Sequence, residues 1–220
     1  MPELRGATEG DLDAIVWIAV AAFRTDPTYT YRFPYIDQYL DEYTSFIRKR
    51  YKLLLASPHV TVMVYELPTN EDASVAKPVA YSVWPPVMTP AASQVNPQSL
   101  VQQPFAVPER VAVVQADIDA AKERLFLGPY GDAQVFLGLL ACHPDYQRRG
   151  AAKALLSWGI EKARSESKTV TLFATPTGST LYRRMGFHDA EIFYTKVSGD
   201  SAVLEQKAMV LEFSTSKDKA

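Results

Sequence analysis

The segment Asp132 to Cys142 reads DAQVFLGLLAC, and no other stretch limits the fold as tightly. An almost unbroken apolar run leaves no polar face for water. A half-buried strand would alternate, so this run predicts one central strand covered on both faces. Such a strand needs helices above and below its sheet, which implies a layered α+β chain. His143-Pro-Asp-Tyr-Gln147-Arg148-Arg149-Gly150-Ala151-Ala152 follows at once. A buried strand therefore feeds a short turn, a glycine and a helix start.

The remaining elements follow from apolar spacing. Thr8-Glu-Gly-Asp11 resembles a capping box, and Leu12, Ile15, Ile18, Ala19, Ala22 and Phe23 come after it at helical intervals. Asp26-Pro27 is expected to end that helix, because the residue before a proline disfavours the α region. An aromatic stretch, Tyr29 to Tyr35, leads into a second amphipathic helix over 36–57. Val60 to Glu66 and Pro78 to Trp84 read as strands joined by a polar hairpin loop. Residues 85–108 hold six of the chain's 15 prolines and read as a loop set between strands. A helix over 109–127 comes next, with Gly128-Pro129 as its stop. Beyond the central strand the order is helix 149–166, strand 169–174, short helix 178–185, and strands 187–197 and 203–213. The sum is a mixed twisted sheet of six to seven strands flanked by helices, layered α/β/α. One domain is expected over 1–213, with an insertion at about 86–130 and a fraying polar tail at 214–220.

Composition enters mainly as exclusion. With 47% hydrophobic residues against 22% charged, wholesale disorder is ruled out. The formal net charge of −2 makes a poor partner for long nucleic acid. One Cys cannot build an intramolecular disulfide framework, and with three His it offers no zinc-ligand pattern. No apolar run approaches the roughly 20 residues of a membrane span, and the first residues lack an apolar signal core. The expectation is a cytoplasmic protein, monomer or homodimer, with no membrane or nucleic-acid partner.

The turn after the central strand favours anions on physical grounds. The first N–H groups of a helix have no acceptor within it, and the helix dipole places partial positive charge there. Gly150 allows close approach of a ligand to the backbone. Arg148, Arg149 and Lys153 add full charges, and a guanidinium suits phosphate oxygens. From Gln147 to Phe187 there are eight Lys or Arg and two acids, a local +6 inside a chain of −2. A compact phosphorylated ligand fits that segment.

Gln147-Arg-Arg-Gly-Ala-Ala152 resembles the Q/R-x-x-G-x-G/A acyl-CoA loop of the GNAT superfamily of N-acetyltransferases. Leu181-Tyr182-Arg-Arg-Met-Gly186-Phe187 resembles the later L-Y-x-x-x-G-F element of the same family. One helix, one strand and one short helix separate the two, as in the family. The resemblance covers about 132–197 best, extends over 3–85, and does not reach 86–130. Two departures stand out: Ala152 fills the last small position, and Thr175-Pro-Thr-Gly-Ser179 stands where many members carry an Asn.

The resemblance implies a fold, a cofactor and roles. The sheet should splay in a V between its fourth and fifth strands, those of 132–142 and 169–175, with the pantetheine of acetyl-CoA between them. Gln147, Arg148, Arg149, Gly150, Ala151, Ala152 and Lys153 would hold the pyrophosphate. Backbone groups of Leu140, Ala141 and Cys142 would pair with the pantetheine like an added strand, and Ser179 would supply a further polar contact. A strand amide near Leu140 would polarise the thioester carbonyl. Tyr182 would protonate the leaving thiolate, while Glu66, Asp132 or a water chain would deprotonate the amine. A neutral amine would then attack directly, in a ternary complex. Tyr29, Tyr31, Phe33 and Trp84 are the expected lining of an acceptor pocket for a small-molecule amine. The acidic remainder of the chain leaves room for a cationic acceptor.

Blander readings stand beside these. Cys142 at the end of an apolar strand reads as a small buried hydrophobe rather than a nucleophile. The aromatic stretch could simply pack over the sheet edge, and residues 86–108 could be a lid or a plain loop. The rival functions are an acyl-CoA sensor without turnover and an acetyltransferase of protein lysines or amino termini.

Overall fold

The computed structural model describes residues 3–68, 75–86 and 102–213. The Pro-rich core of 85–108 and the tail at 214–220 lie largely outside these, as does the hairpin tip between the second and third strands. In chain order the elements are β1 (Glu3–Gly6), α1 (Leu12–Phe23), α2 (Pro27–Arg32), α3 (Leu40–Ala56), β2 (Thr61–Pro68) and β3 (Ala76–Trp84). Then come α4 (Pro108–Lys122), β4 (Gln134–Leu137), β5 (Leu139–Cys142), α5 (Ala151–Ser165), β6 (Thr169–Ala174), α6 (Pro176–Arg184), β7 (His188–Thr195) and β8 (Leu204–Leu211).

The strands form two four-stranded sheets, β1-β2-β3-β5 and β4-β6-β8-β7. The expected strand over 132–142 is therefore two strands, and the described residues hold eight strands in all. The break falls at Gly138. Its N–H donates to Val83 O at 2.9 Å, and a Cβ there would meet the Pro85 ring at 3.0 Å. Up to Leu137 the chain pairs parallel with β6; from Leu139 it pairs antiparallel with β3. A one-residue shift at a small residue thus hands one apolar run to two sheets. β5 and β6 part beyond that point, which is the expected V.

Three other boundaries moved. Asp26-Pro27 starts a helix instead of only ending one. Asp26 accepts from the N–H groups of Thr28 and Tyr29 at 2.9 and 3.2 Å as N-cap of α2, and Pro27 sits where its missing N–H costs nothing. The second helix begins at Leu40 rather than at residue 36. Gly128-Pro129 does not stop the helix before it: a wide turn over Glu123–Leu127 carries helical backbone to Tyr130. Phe126 on that turn is fully buried against Phe136, Phe173, Ala208 and Val210.

Alternation assigns the core. On β3, Tyr81 and Val83 face α1 and α3, while Ala80 and Trp84 face α5. On the second sheet, Val135, Leu137, Val170 and Leu172 pack under α5, beside Leu155, Leu156 and Tyr182. α5 thereby covers both sheets at the line where they separate.

Candidate active site

The turn after β5 is shaped by two left-handed residues, Arg148 with φ 63° and Gly150 with φ 90°. For an arginine that conformation is strained, and such strain concentrates at functional sites. A Cβ at Gly150 would meet nothing within 4 Å, so the space over the turn is open. The first helical bond runs from Ala154 N to Gly150 O at 3.0 Å, so the N–H groups of Ala151, Ala152 and Lys153 lie ahead of the helical ladder. The result is a row of donors at the start of a 15-residue helix, with the exposed side chains of Arg148 and Lys153 beside it. Arg149 folds back, its guanidinium 5.1 Å from the Tyr146 ring centre and 3.3 Å from Asp145 O.

The strand leading into the turn has one free edge. His143 N–H donates to Val79 O on β3 at 2.9 Å, and Ala141 pairs with Tyr81. By strand alternation the backbone groups of Leu140 and Cys142 point the other way, into the gap beside β6. Gln147 Nε2 reaches Cys142 O from that side at 3.5 Å. Ala141 is therefore a correction to the expected cofactor contacts, because its backbone is taken up by β3. The Cys142 thiol is partly enclosed, and burial pushes its pKa up to about 11, with Arg149 acting the other way. That keeps it protonated, as expected of a small hydrophobe. His143 stacks on Trp17 at 3.7 Å, its Nδ1 caps the following turn, and burial lowers its pKa.

Tyr182 lies on α6, which is capped by Thr175 Oγ1 accepting from Gly178 N–H at 3.2 Å. The ring is buried with Phe187 at 5.8 Å. Its hydroxyl has no hydrogen-bond partner among the described residues. Burial holds its pKa well above the usual tyrosine range, and the nearby Asp26 charge raises it further. Ser179 is buried and turned inward, its Oγ donating to Pro176 O at 2.7 Å. That hydroxyl closes its own helix turn instead of reaching the gap.

The expected acceptor residues separate. Tyr29 and Phe33, one helical turn apart, face inward, with Tyr29 stacked on Phe23 at 3.9 Å and Phe33 packed on Tyr43 and Phe105. Tyr31, two residues from each, faces the opposite side. There it lines an open cavity of about 410 Å³ with Arg110, Pro176, Leu204 and Glu205. Trp84 does not face an acceptor at all: its indole is sandwiched under α5 against Gly159 and Trp158. Neither expected base is placed for the reaction. Glu66 is held by Arg5, which also grips Asp11 at 2.8 Å, on a strand two removed from the gap. Asp132 is exposed and six residues before Gly138, about 20 Å back along extended chain. The acid that does bear on Tyr182 is Asp26. Desolvation raises its pKa, and only Oδ1 is used by the α2 cap. Its sequence signal was overshadowed by Pro27, which reads first as a helix stop.

A family model described as an acetyltransferase (GNAT) domain matches residues 109–189, beginning inside the stretch that resembled an addition by sequence. Similar along its length is an "Acetyltransferase" of the fungus Stachybotrys chartarum, 23% identical over 214 residues, 94% of this chain and 89% of that one. Among solved structures, the polyamine N-acetyltransferase of Drosophila melanogaster superposes with a TM-score of 0.64 at 12% identity, covering 97% of this chain and all of that one (100%). A crystal structure described as histone acetyltransferase HPA2 and related acetyltransferase, from Corynebacterium glutamicum, gives 0.60 at 19% identity, with 97% of each chain covered. Residues 109–189 are thus similar to a GNAT acetyltransferase domain, and the solved structures share the fold of the whole chain. No helix among the described residues is long and apolar enough to cross a membrane. They also hold no group of His, Cys, Asp or Glu suited to a metal ion.

Proposed function

We propose that the protein is an acetyl-CoA-dependent N-acetyltransferase acting on the amine of a small molecule. The observation that carries this is the joining of two features: the N–H groups of Ala151, Ala152 and Lys153 at the start of α5 and the free edge of β5. The first fits a pyrophosphate, the second an amide-bearing arm. Acetyl-CoA would supply the activated acetyl group as a thioester. Leu140 N–H is the donor available at that edge to polarise a carbonyl oxygen. The Tyr182 phenol, kept protonated by burial, holds a proton for the departing sulfur. Asp26, whose Oδ2 is not used by the cap, is the carboxylate that would orient and deprotonate the amine. Direct attack in a ternary complex needs no protein thiol, in keeping with a Cys142 that stays protonated.

A panel of amines with acetyl-CoA, followed by release of free thiol, tests this reading. Amine-dependent release should fall about 100-fold or more in Tyr182→Phe. Asp26→Asn, which retains a capping side chain, should fall similarly and lose the rising acid limb of the pH profile. The wild-type limb should lie above that of an ordinary aspartate, because Asp26 is desolvated. A thermal shift with acetyl-CoA but no release on any amine would favour a sensor. No shift at saturating acetyl-CoA would overturn both.

A further inference from the structure

The side of the first sheet facing α1 and α3 holds a polar cluster that the transfer chemistry does not use. The inward stripe of α3 carries the buried Tyr43, Ile47, Tyr51 and Leu54. Arg50, one turn on from Ile47, belongs to that stripe and is only partly accessible. From α2 comes Arg32, its guanidinium 4.8 Å from the Tyr29 ring centre and 5.0 Å from that of Phe33, with Nε donating to Thr28 O at 2.9 Å. Tyr81 on β3 completes the wall, its hydroxyl bonded to that of Tyr51.

Three properties of this cluster need explaining. Arg32 and Arg50 lie close enough to oppose each other's charge. Among the described residues neither forms an ion pair. The Tyr43 hydroxyl is fully enclosed and has no hydrogen-bond partner. Rings under Arg32 give cation–π attraction, worth about 0.5–2 kcal/mol, which does not replace a counter-ion for two half-buried cations. Asp26 is the carboxylate that bears on Arg32, and it also bears on Tyr182. The cluster therefore adjoins the place where the reacting amine has to sit. Half-buried cations without an ion pair and an orphaned donor together describe a site completed by an anion.

We propose that the acceptor amine carries an anionic oxygen group, as in an amino acid or an aminophosphonate, seated between Arg32 and Arg50 with Tyr43 donating to it. The proposal rests on the N-acetyltransferase reading above and makes the acceptor a zwitterion, its ammonium turned to Asp26. The net acidity outside the basic segment, which left room for a cationic acceptor, is an average over the chain and says nothing of this interior.

The test uses alanine and phenylalanine, each beside its amide, its decarboxylated amine and its aminophosphonate. Thiol release is measured with acetyl-CoA, and the melting temperature is measured with each probe alone. Anionic members should exceed the amide and the amine by about 100-fold in kcat/KM, since each charge-assisted bond to a guanidinium is a strong one. Arg50→Met should erase that preference through KM and abolish the probe-induced shift, leaving the shift by acetyl-CoA intact. Arg32→Met should do the same, and Arg50→Lys should keep part of it. Carboxylate against phosphonate decides which oxyanion is meant. Equal use of acid, amide and amine by the unaltered protein would overturn the proposal. So would an Arg50→Met variant that still prefers anions, or an absence of both release and shift with every anionic probe. Anion-dependent shifts without any thiol release would leave it standing and sink the transfer reading instead.

Discussion

Gly159→Ala tests the packing that holds the donor row against the open strand. Gly159 lies in the middle of α5, where the Trp84 indole rises from β3. A Cβ there would stand 1.9 Å from Trp84 Cη2, and 2.3 and 2.5 Å from Cζ2 and Cζ3. The ring is not free to swing aside: Nε1 donates to Ser82 Oγ at 2.8 Å, and Trp158 stands 5.8 Å away. To reach contact near 3.4 Å, ring and helix must separate by about 1.5 Å. Overpacking of this kind costs about 1–3 kcal/mol. Alanine's helix preference over glycine returns about 1 kcal/mol. The net loss, up to about 2 kcal/mol, corresponds to a fall of up to roughly 8 °C in Tm for a chain of this size. The same displacement moves the start of α5 relative to β5, so the thermal shift by acetyl-CoA should shrink as well. Urea denaturation with and without acetyl-CoA measures both effects. Trp84→Leu in the Gly159→Ala background should recover part of the loss, giving a non-additive double-mutant cycle. A Gly159→Ala variant as stable as the parent, with an additive cycle, would refute the argument that this contact fixes the helix.

Two further outcomes follow from the geometry. Gly150→Ala forces a side chain into the left-handed region at φ 90°, which should cost about 1–2 kcal/mol and weaken acetyl-CoA binding more than stability; calorimetry separates the two. Arg5→Ala removes the group that holds the Asp11 carboxyl below its ordinary value of 3.8. A lowered pKa stabilises the fold above that value and is lost as pH falls through the folded pKa. The stability gap between the parent and Arg5→Ala, about 1–2 kcal/mol at neutral pH, should therefore close below about pH 4, as read by denaturant titration across pH.

The elements that were legible in the sequence are those governed by neighbours along the chain. The β2–β3 hairpin, α5 with its Arg148-Arg149-Gly150 entry, and the short helix α6 that carries Tyr182 all fall where local patterning put them. The errors arose where one local signal had two structural outcomes. Asp26-Pro27 serves as a helix end and a helix start alike, since proline is tolerated at the first helical position. Gly128-Pro129 can stop a helix, yet Phe126 finds a full apolar socket when the helical backbone continues.

The sequence by itself determined the donor row. Backbone handedness at Gly150 and the orphaned N–H groups of a helix start are properties of consecutive residues, whatever surrounds them. Three features only the tertiary structure decided. The apolar run at 132–142 carries no mark of which half joins which sheet. Trp84 reads equally well as pocket lining or core until Gly159 is set against it. Arg32 and Arg50 look like two ordinary surface cations until α2 and α3 bring them, half-buried, beside the same tyrosines. In each case the deciding contact joins residues far apart in sequence, and hydrophobic periodicity records that a face is buried without recording what buries it.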